Sequence, residues 1–348
     1  MHRFIKAVGS GAKRARDLSR AEAQEAMGLV CDGAVRPEQV GAFLLALRMK
    51  GESADELAGF VDALEARLDV GGARAPAGTL DVDCHGDGHE GRATLLPAAA
   101  CALAALGVPV LLRLQRELPT ARHGLVDALA ALGLDLARPL DAARAEAALG
   151  RARLAALDLA TYAAPLDRLV ALRPLLGVRT VAQTLMKLVD PLRAPARVVG
   201  VFHAPYLPST ARALAALGRD GLCVQALGGL PEAAPGKITR VCRAGGEPYA
   251  VDLRPLPAIG YGGSSGGSNA SDSSGSGGAG DEAVEDAAAL NRAALDGAEG
   301  PMARAAAAAA LLLHAARRID PLAAATDARR ALASGEARAA AARLAAAS

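Results

Sequence analysis

Apolar residues recur at helical spacing through residues 1–70. The spacing predicts three helices, over residues 19–31, 36–50 and 53–68. Ser19 followed by Glu22 forms a capping-box pattern at the start of the first helix, because each side chain can pair with the backbone N–H of the other residue. This part of the chain is therefore predicted to form a small, all-helical domain.

A different pattern begins after a linker of Gly, Pro and Ala residues at 71–78. The predicted strands cover residues 80–82, 108–112 and 196–201, and the predicted helices cover residues 97–106, 124–132 and 209–217. Short apolar strands that alternate with helices are typical of an α/β fold with a mainly parallel central sheet. Residues 71–348 are therefore predicted to form a larger α/β domain.

Gly, Ser and Asn dominate the segment 260–280. This composition cannot bury enough apolar surface to offset the entropy cost of ordering the chain, so we predict a flexible insertion there. Alanine-rich helices are predicted from about residue 281 to the C-terminal end. We find no internal repeat in the sequence.

The length of 348 residues suggests two domains, because single cores rarely exceed roughly 250 residues. Hydrophobic residues make up 52% of the chain, but aromatic residues make up only 2%, and Trp is absent. The core must then consist of Ala, Leu and Val, which favours closely packed helices. Five scattered cysteines, an odd number, are interpreted as buried thiols in a reducing compartment.

One uncharged run, residues 95–112, is long enough to raise the question of a membrane span. Pro97, Gly107 and Pro109 interrupt it, so a buried helix followed by a core strand explains it better. The first 20 residues contain six Lys and Arg residues and lack the apolar region of a secretory signal. We therefore expect a cytoplasmic protein that does not bind membranes.

Three segments resemble one known family. Residues 18–64, 174–195 and 289–316 are similar to glycosyltransferase family 3, the superfamily of anthranilate and nucleoside phosphoribosyltransferases. The resemblance implies a small helical domain joined to a larger α/β domain. It also implies a homodimer that forms through the N-terminal helices.

The first phosphate loop of that family departs from its usual pattern here. In the family the loop reads GTGGD, and its small residues let backbone N–H groups surround the pyrophosphate of phosphoribosyl pyrophosphate. The corresponding residues are Cys84, His85, Gly86, Asp87 and Gly88. Because an anion site needs close backbone approach, N–H donors and positive charge, we interpret this acidic loop as degenerate.

Three further motifs of the family are reduced in the same way. The phosphate-binding NxST corresponds to residues 94–97, where most hydroxyl and amide groups are gone, and KHGNR corresponds to residues 112–116, where only the last Arg is kept. The Asp-Glu pair that binds magnesium is reduced to Glu232. Arg173 matches the family arginine that holds the carboxylate of anthranilate.

A closer resemblance points to one branch of the superfamily. Residues 169–195, 200–207 and 235–241 are similar to the YbiB-type branch, whose members bind nucleic acid. This resemblance predicts non-specific binding of nucleic acid, DNA in the first place. The candidate contacts are basic residues around the former substrate cleft: Arg113, Arg116, Arg122, Arg173, Arg179, Lys187, Arg193, Arg197, Lys237 and Arg240, with His123 beside them.

Charge and aromatic content limit the form that such binding can take. The 39 Lys and Arg residues nearly balance 37 Asp and Glu residues, so phosphate binding would need a local basic stripe. The competing interpretation is that these basic residues form ordinary surface ion pairs. Four Phe and four Tyr offer little for base stacking, so we expect backbone contacts without sequence preference. The basic arm at residues 3–20 either touches phosphate or is a frayed terminus.

Two other functions stay open at this point. The first is a divergent phosphoribosyltransferase for an aromatic or nucleobase acceptor, with Arg173 orienting the acceptor and magnesium as cofactor; otherwise no cofactor is expected. The second is a structural or regulatory protein that acts through the face of its helical domain. Binding of phosphoribosyl pyrophosphate separates the enzyme from both alternatives.

The degenerate loop also contains residue types that bind metals. They are Asp83, Cys84, His85, Asp87, His89 and Glu90. Their spacing matches no closed tetrahedral pattern, so we predict no metal site. The flanking carboxylates also disfavour a reactive thiolate at Cys84. His203 follows a predicted strand and either lines the cleft or is a hydrogen-bonded structural residue.

Overall fold

The structure is a computed structural model. It describes residues 1–11, 13–86, 92–116, 124–257 and 285–347. The Gly/Ser insertion predicted at 260–280 lies outside these residues. Within the described ranges, no helix has both the length and the apolar content needed to cross a bilayer.

Four helices form the N-terminal part of the molecule. They are α1 (His2–Gly9), α2 (Arg20–Cys31), α3 (Pro37–Lys50) and α4 (Ala54–Glu65). Helix α2 packs along α4, and α1 packs along α3. The three helices predicted from apolar spacing are confirmed, and so is the all-helical character of this part of the chain.

Local side-chain caps explain where two of these helices begin. Ser19 Oγ accepts the N–H of Glu22, and the Ser19 N–H donates to the Glu22 carboxylate at 2.9 Å. Ser53 and Glu56 repeat this arrangement at the start of α4. The buried Glu56 carboxylate also accepts the Leu18 N–H at 2.9 Å. It thereby fixes the chain before α2 against the start of α4.

The basic N-terminal arm is not a frayed terminus. Its first residues form α1, in which Phe4 and Val8 are buried. These two side chains lie four residues apart and therefore face the same side of the helix, toward α3. The sequence gives little indication of this helix, because only two large apolar residues mark its buried face.

A seven-stranded sheet lies at the centre of the rest of the chain. Its strands are β1 (Leu80–Asp83), β2 (Val110–Leu114), β3 (Leu154–Asp158), β4 (Ala196–Val201), β5 (Gly221–Gln225), β6 (Ile238–Arg243) and β7 (Pro248–Asp252). The strand order is β3-β2-β1-β4-β5-β6-β7. The first five strands in this order pair in parallel, and β6 and β7 pair antiparallel. The predicted α/β fold with a mainly parallel sheet is confirmed.

Twelve helices of the described residues accompany this sheet. They are α5 (Leu96–Ala105), α6 (Leu125–Ala131), α7 (Ala142–Ala152), α8 (Leu159–Tyr162), α9 (Ala164–Val170), α10 (Arg173–Leu176), α11 (Val181–Leu188), α12 (Tyr206–Ala216), α13 (Ala287–Leu295), α14 (Glu299–Arg317), α15 (Pro321–Ala333) and α16 (Glu336–Ala347). The uncharged run at 95–112 is a buried helix followed by a core strand, as predicted. All five cysteines lie in the described residues and are buried free thiols.

The C-terminal helices are fixed to α5 by polar contacts across an alanine-rich interface. Asn291 is fully buried; its Oδ1 accepts the Ala98 N–H, and its Nδ2 donates to the Thr94 carbonyl, at 2.9 and 2.8 Å. The Glu285 carboxylate accepts the Ala93 N–H at 2.9 Å. These contacts satisfy backbone groups at and before the start of α5, where the helix itself offers no partner.

Asp81 forms a buried charge cluster with two arginines on neighbouring strands. Its Oδ1 accepts from Arg113 Nε at 2.6 Å, and its Oδ2 accepts from Arg197 Nη2 at 2.9 Å. All three side chains are almost completely inaccessible to solvent. Arg113 and Arg197 therefore cannot reach a nucleic acid, and their prediction as contact residues is wrong. Desolvated guanidinium groups need several partners, and here those partners come from the protein.

The same two arginines also hold the end of α11. Arg113 donates to the Met186 and Lys187 carbonyls at 2.7 and 2.9 Å, and Arg197 donates to the Leu188 carbonyl at 2.5 Å. Carbonyls in the last turn of a helix have no partner within the helix, and positive charge there is favourable. The cluster therefore fixes α11 against β1, β2 and β4.

Glu65, at the end of α4, connects the helical part to the α/β part. Its carboxylate accepts the Asp190 N–H at 2.7 Å and pairs with Arg219. Arg219 also donates to the Leu188 carbonyl at 2.6 Å. Burial raises the pKa of Glu65 despite these partners. The end of α11 is thus fixed from both domains.

Replacing Asp81 with Asn should destabilise the protein strongly. Both buried guanidinium groups would lose their shared carboxylate, and breaking a buried ion pair from one side costs about 3–5 kcal/mol. Urea unfolding of Asp81→Asn and of the wild type measures the difference in free energy. Asp252→Asn removes the carboxylate of an exposed pair with Arg254 and should change stability little. Equal stability of Asp81→Asn and the wild type would contradict the role assigned to the cluster.

Candidate nucleic-acid interface

One cavity of the described residues lies at the carboxyl ends of β1 and β4. The strand order changes direction between these two strands, and α/β proteins commonly bind ligands at such a point. We call this cavity the switch-point pocket. Its walls come from α3, residues 85–86 after β1, residues 179–187 before and along α11, residues 200–206 and the glycines 228–229. The empty space in the pocket and at its mouth, open solvent included, is about 810 Å³.

Three cationic side chains face this pocket. Arg48 reaches it from α3, Arg179 from the residue before the N-cap of α11, and Lys187 from the last turn of α11. Glu52 is the carboxylate among the lining residues. Burial lowers the pKa of Arg179, and the nearby Arg48 lowers it further. The pKa of Arg173 is likewise lowered by burial and by Arg179, so these charges lie close to one another.

Lys187 has a structural role as well as a place in the pocket. Its Nζ donates to the carbonyls of Gly200 and Gly229 at 2.8 and 3.0 Å and lies 3.3 Å from Asp83 Oδ2. Only 17% of its side chain is exposed. Lys187 thus contributes positive potential to the pocket, while most of its donors are already used.

Asp83 organises the base of the pocket. Its Oδ1 accepts the His85 backbone N–H at 3.0 Å and lies 2.8 Å from His85 Nδ1, and its Oδ2 accepts the Gly200 N–H at 3.2 Å. Complete burial alone would raise the pKa of Asp83, but Lys187 and His85 together hold it well below its usual range. Burial lowers the pKa of His85 against the effect of Asp83, so the imidazole is neutral.

Two buried polar atoms in this pocket have no hydrogen-bond partner among the residues that the structure describes. One is His85 Nε2 and the other is Gln183 Nε2. Gln183 Oε1 accepts the Thr180 N–H at 2.7 Å as part of a capping box, which leaves the amide nitrogen for another partner. Gln183 is not among the predicted site residues, although the Thr-x-x-Gln spacing is a recognisable helix start.

Three aromatic rings form the rim of the pocket. Phe202, His203 and Tyr206 follow β4, and we call them the rim rings. The ring centroids of Phe202 and His203 are 4.6 Å apart, and those of His203 and Tyr206 are 6.4 Å apart. Phe202 is 47% exposed and Tyr206 is 41% exposed. His203 lines the pocket, which is one of its two predicted placements. The expectation that stacking surface is scarce does not hold at this position.

The other predicted contact residues are spread over the molecule. Arg116 is exposed after β2, and its Nη2 donates to the Leu136 carbonyl at 3.0 Å. Arg193 is exposed before β4, which places it at the opposite end of the sheet from the pocket. Lys237 and Arg240 are exposed at the start of β6, and Lys237 lines a second, smaller hollow. Arg122 and His123 lie outside the described residues.

The loop after β1 is packed tightly where it is described. Cys84 and His85 are buried, and burial raises the pKa of the Cys84 thiol well above its usual value. A Cβ on Gly86 would lie 2.7 Å from the Gly228 carbonyl oxygen, and one on Gly200 only 2.0 Å from that of Gly229. The backbone after β1 therefore closes against residues 228–229 and needs glycine at these two contacts.

Glu232, which the resemblance aligns with the magnesium-binding pair of the family, has partners within the protein. Glu232 Oε2 accepts from Thr94 Oγ1 at 2.6 Å, and Oε1 accepts the Leu95 N–H at 3.2 Å. Burial raises the pKa of Glu232. Among the described residues, no group of three or more His, Cys, Asp and Glu side chains is arranged to hold a metal ion. Asp87, Gly88, His89 and Glu90 lie outside those residues.

The two parts of this fold, the N-terminal helices and the α/β part, correspond to the two halves of one protein family. The helical bundle domain of the glycosyl transferase family matches residues 2–67, and the a/b domain of that family matches residues 79–338. The chain belongs to this family.

Comparison with individual proteins places the chain more closely within the family. It is 36% identical over 244 residues to anthranilate phosphoribosyltransferase of Methylocella silvestris, covering 69% of this chain and 68% of that one. It is 37% identical over 235 residues to the enzyme of the same name from Anaeromyxobacter sp. strain Fw109-5, covering 66% of this chain and 67% of that one. The chain is therefore an anthranilate phosphoribosyltransferase-like protein.

Solved structures agree with this placement. Anthranilate phosphoribosyltransferase from Thermus thermophilus superposes with a TM-score of 0.80 at 29% identity, over 100% of this chain and 99% of that chain. The enzyme from Saccharomyces cerevisiae in complex with PRPP and Mg superposes with a TM-score of 0.76 at 17% identity, over 99% and 97% of the two chains. The second likeness concerns the fold alone.

Proposed function

We propose that this anthranilate phosphoribosyltransferase-like protein binds nucleic acid without sequence preference and does not transfer phosphoribosyl groups. The observation that carries the proposal is the switch-point pocket, where Arg48, Arg179 and Lys187 lie beside the exposed rim rings. Basic groups that follow the backbone and aromatic rings on which bases stack are the two components of single-strand binding sites. The proposal places the chain in the YbiB-type branch.

The local chemistry of the degenerate loop supports the loss of transfer activity. In a GTGGD loop the backbone N–H groups are free to hold pyrophosphate. Here the His85 N–H is taken by Asp83, and the Glu232 carboxylate is taken by Thr94 and Leu95. With Pro231 in place of the first magnesium carboxylate, the site offers one acidic ligand where a bridging Mg²⁺ uses more.

The balance of charge supports a local interface over a generally basic protein. The net charge is only +2, so non-specific attraction over the whole surface is weak. The cationic side chains of the pocket are concentrated at one end of the sheet, where an extended single strand of nucleic acid can contact several of them. Such binding releases counterions and therefore weakens as salt rises.

Arg48→Gln and Arg179→Gln should each weaken binding of a labelled single-stranded oligonucleotide. For each phosphate that a variant no longer contacts, the slope of log affinity against log salt should fall by about 0.7. Fluorescence anisotropy over a series of salt concentrations measures both affinity and slope. Arg193→Gln is the matched control, because Arg193 lies at the opposite end of the sheet. Equally weakened binding in all three variants would contradict the assignment to the pocket.

A second candidate function is transfer of a phosphoribosyl group to an aromatic or nucleobase acceptor. Identity of 36% to a named anthranilate phosphoribosyltransferase favours it, and so does Arg173, half-buried beside Arg179. Magnesium would be its cofactor, and Arg173 would orient the acceptor.

Isothermal calorimetry with phosphoribosyl pyrophosphate and Mg²⁺ separates the two functions. We expect no saturable heat at millimolar ligand, because the amide and carboxylate groups of the former site are already paired. The Thermus thermophilus enzyme serves as the positive control. Saturable, magnesium-dependent binding to this chain would establish the transferase alternative.

We also propose a homodimer that forms through the N-terminal helices. Met49 of α3 is 86% exposed, and Leu175 of α10 is 82% exposed. Gly41 of α3 lies against Leu176, so these two helices share one surface. Exposed apolar side chains that form one patch mark contact surfaces, whereas scattered ones are ordinary.

Met49→Glu combined with Leu175→Glu should convert the dimer to monomers, because two charges would be buried in the interface. Sedimentation velocity measures the change in mass. Ile238→Glu is the control, since Ile238 is also exposed but lies on β6 of the α/β domain. A wild-type protein that sediments as a monomer would refute the dimer.

A further inference from the structure

Gln183 Nε2 and His85 Nε2, which have no partner among the described residues, restrict which hydrogen-bonding groups a ligand of the switch-point pocket can carry. Gln183 Nε2 and His85 Nε2 belong to side chains that are more than nine-tenths buried, and both line the same cavity. Buried polar groups in folded proteins almost always have a hydrogen-bond partner, because an unmade bond costs free energy. Two such groups in one pocket indicate that a bound molecule supplies the missing bonds.

The hydrogen-bonding roles of these atoms follow from their other contacts. Gln183 Oε1 accepts the Thr180 N–H, so the amide nitrogen faces the pocket as a donor. His85 is neutral, and its Nδ1 lies 2.8 Å from an Asp83 carboxylate oxygen, which can only accept. The imidazole proton is therefore on Nδ1, and Nε2 is an acceptor. The pocket offers one buried donor and one buried acceptor.

The rest of the pocket limits the shape and charge of the ligand. The rim rings form an aromatic entrance suited to a flat molecule. Arg48 and Arg179 add positive charge close to this entrance. A flat group with a donor and an acceptor on one edge, joined to an anion, satisfies all of these features. A nucleobase attached to its phosphate has this chemistry.

We propose that the switch-point pocket takes one unstacked base of a single-stranded nucleic acid. This inference rests on the proposed function and adds a base-binding step to it. Gln183 Nε2 donates to an acceptor on the base edge, and His85 Nε2 accepts from an N–H of the base. The rim rings stack on the base, and Arg48 with Arg179 holds the adjoining phosphates.

The proposal explains how base contacts can coexist with a lack of sequence preference. Each of the four bases presents at least one donor and one acceptor on its pairing edge, so the pocket does not select among them. In a duplex these edges are already paired, and opening a pair costs free energy. Single strands should therefore bind more tightly than duplexes of the same length.

The test compares oligo-deoxyadenylate with an abasic oligomer of the same length and with a duplex, by anisotropy at low salt. The key variant is Gln183→Glu, which keeps the oxygen that caps α11 and removes the donor. The matched control is Gln39→Glu, since Gln39 holds the same capping position on α3 and lies outside the pocket. Phe202→Ala is a second test variant whose exposed ring can be removed without disturbing the core.

We expect the wild type to bind the adenylate strand at least about tenfold more tightly than the abasic strand, the range that one or two buried hydrogen bonds supply. Gln183→Glu and Phe202→Ala should each reduce this ratio, and Gln39→Glu should leave it unchanged. The ratio is the readout because the added negative charge acts on both strands.

Other outcomes separate this inference from the function on which it rests. Equal binding of the adenylate and abasic strands, with a steep salt dependence, would overturn base capture and leave backbone binding intact. A ratio that Gln39→Glu lowers as much as Gln183→Glu would also overturn it. Lack of binding to any strand at low salt would remove both proposals together.

Discussion

The shared carboxylate of Asp81 is the contact on which the functional end of the molecule depends. It neutralises two buried guanidinium groups, and the remaining donors of those groups bind the carbonyl groups at the end of α11. Helix α11 carries Gln183 and Lys187, which line the pocket. The buried charge cluster that fixes the end of α11 therefore also sets the position of this wall of the pocket. Such clusters seldom add net stability over apolar packing, but they tolerate few alternative arrangements. Here that restriction fixes where the helix ends.

Much of the fold could be predicted from the sequence because its signals are local. Capping pairs such as Ser19 with Glu22 and the alternation of short strands with helices are visible within a few residues. Strands β3, β5, β6 and β7 were missed, and β3 is made of Leu and Ala residues that fit a helix equally well. Whether such a run forms a strand depends on the neighbouring strands in the sheet. The local sequence pattern carries no information about those neighbours.

The candidate site was predicted less well, because its two most informative features are relations in space. The sequence predicts Arg113 and Arg197 as nucleic-acid contacts, yet both lie in short apolar strands, where a charge must be paired. The Asp81 that pairs them sits in a third strand of the same kind. Aromatic content was judged from the whole chain, whereas Phe202, His203 and Tyr206 are gathered at one rim. A total over 348 residues hides such a concentration.

The hydrogen bonds of Asn291 and Glu285 bear on how the length of the chain before α13 can vary. Both side chains bind the backbone just before and within the start of α5. Earlier in the chain, Leu253 is held by backbone hydrogen bonds to residues 236 and 237. The stretch between Leu253 and Glu285 therefore joins two fixed points. A change in the length of that stretch leaves both attachment points in place, because the hydrogen bonds that make them lie at its two ends.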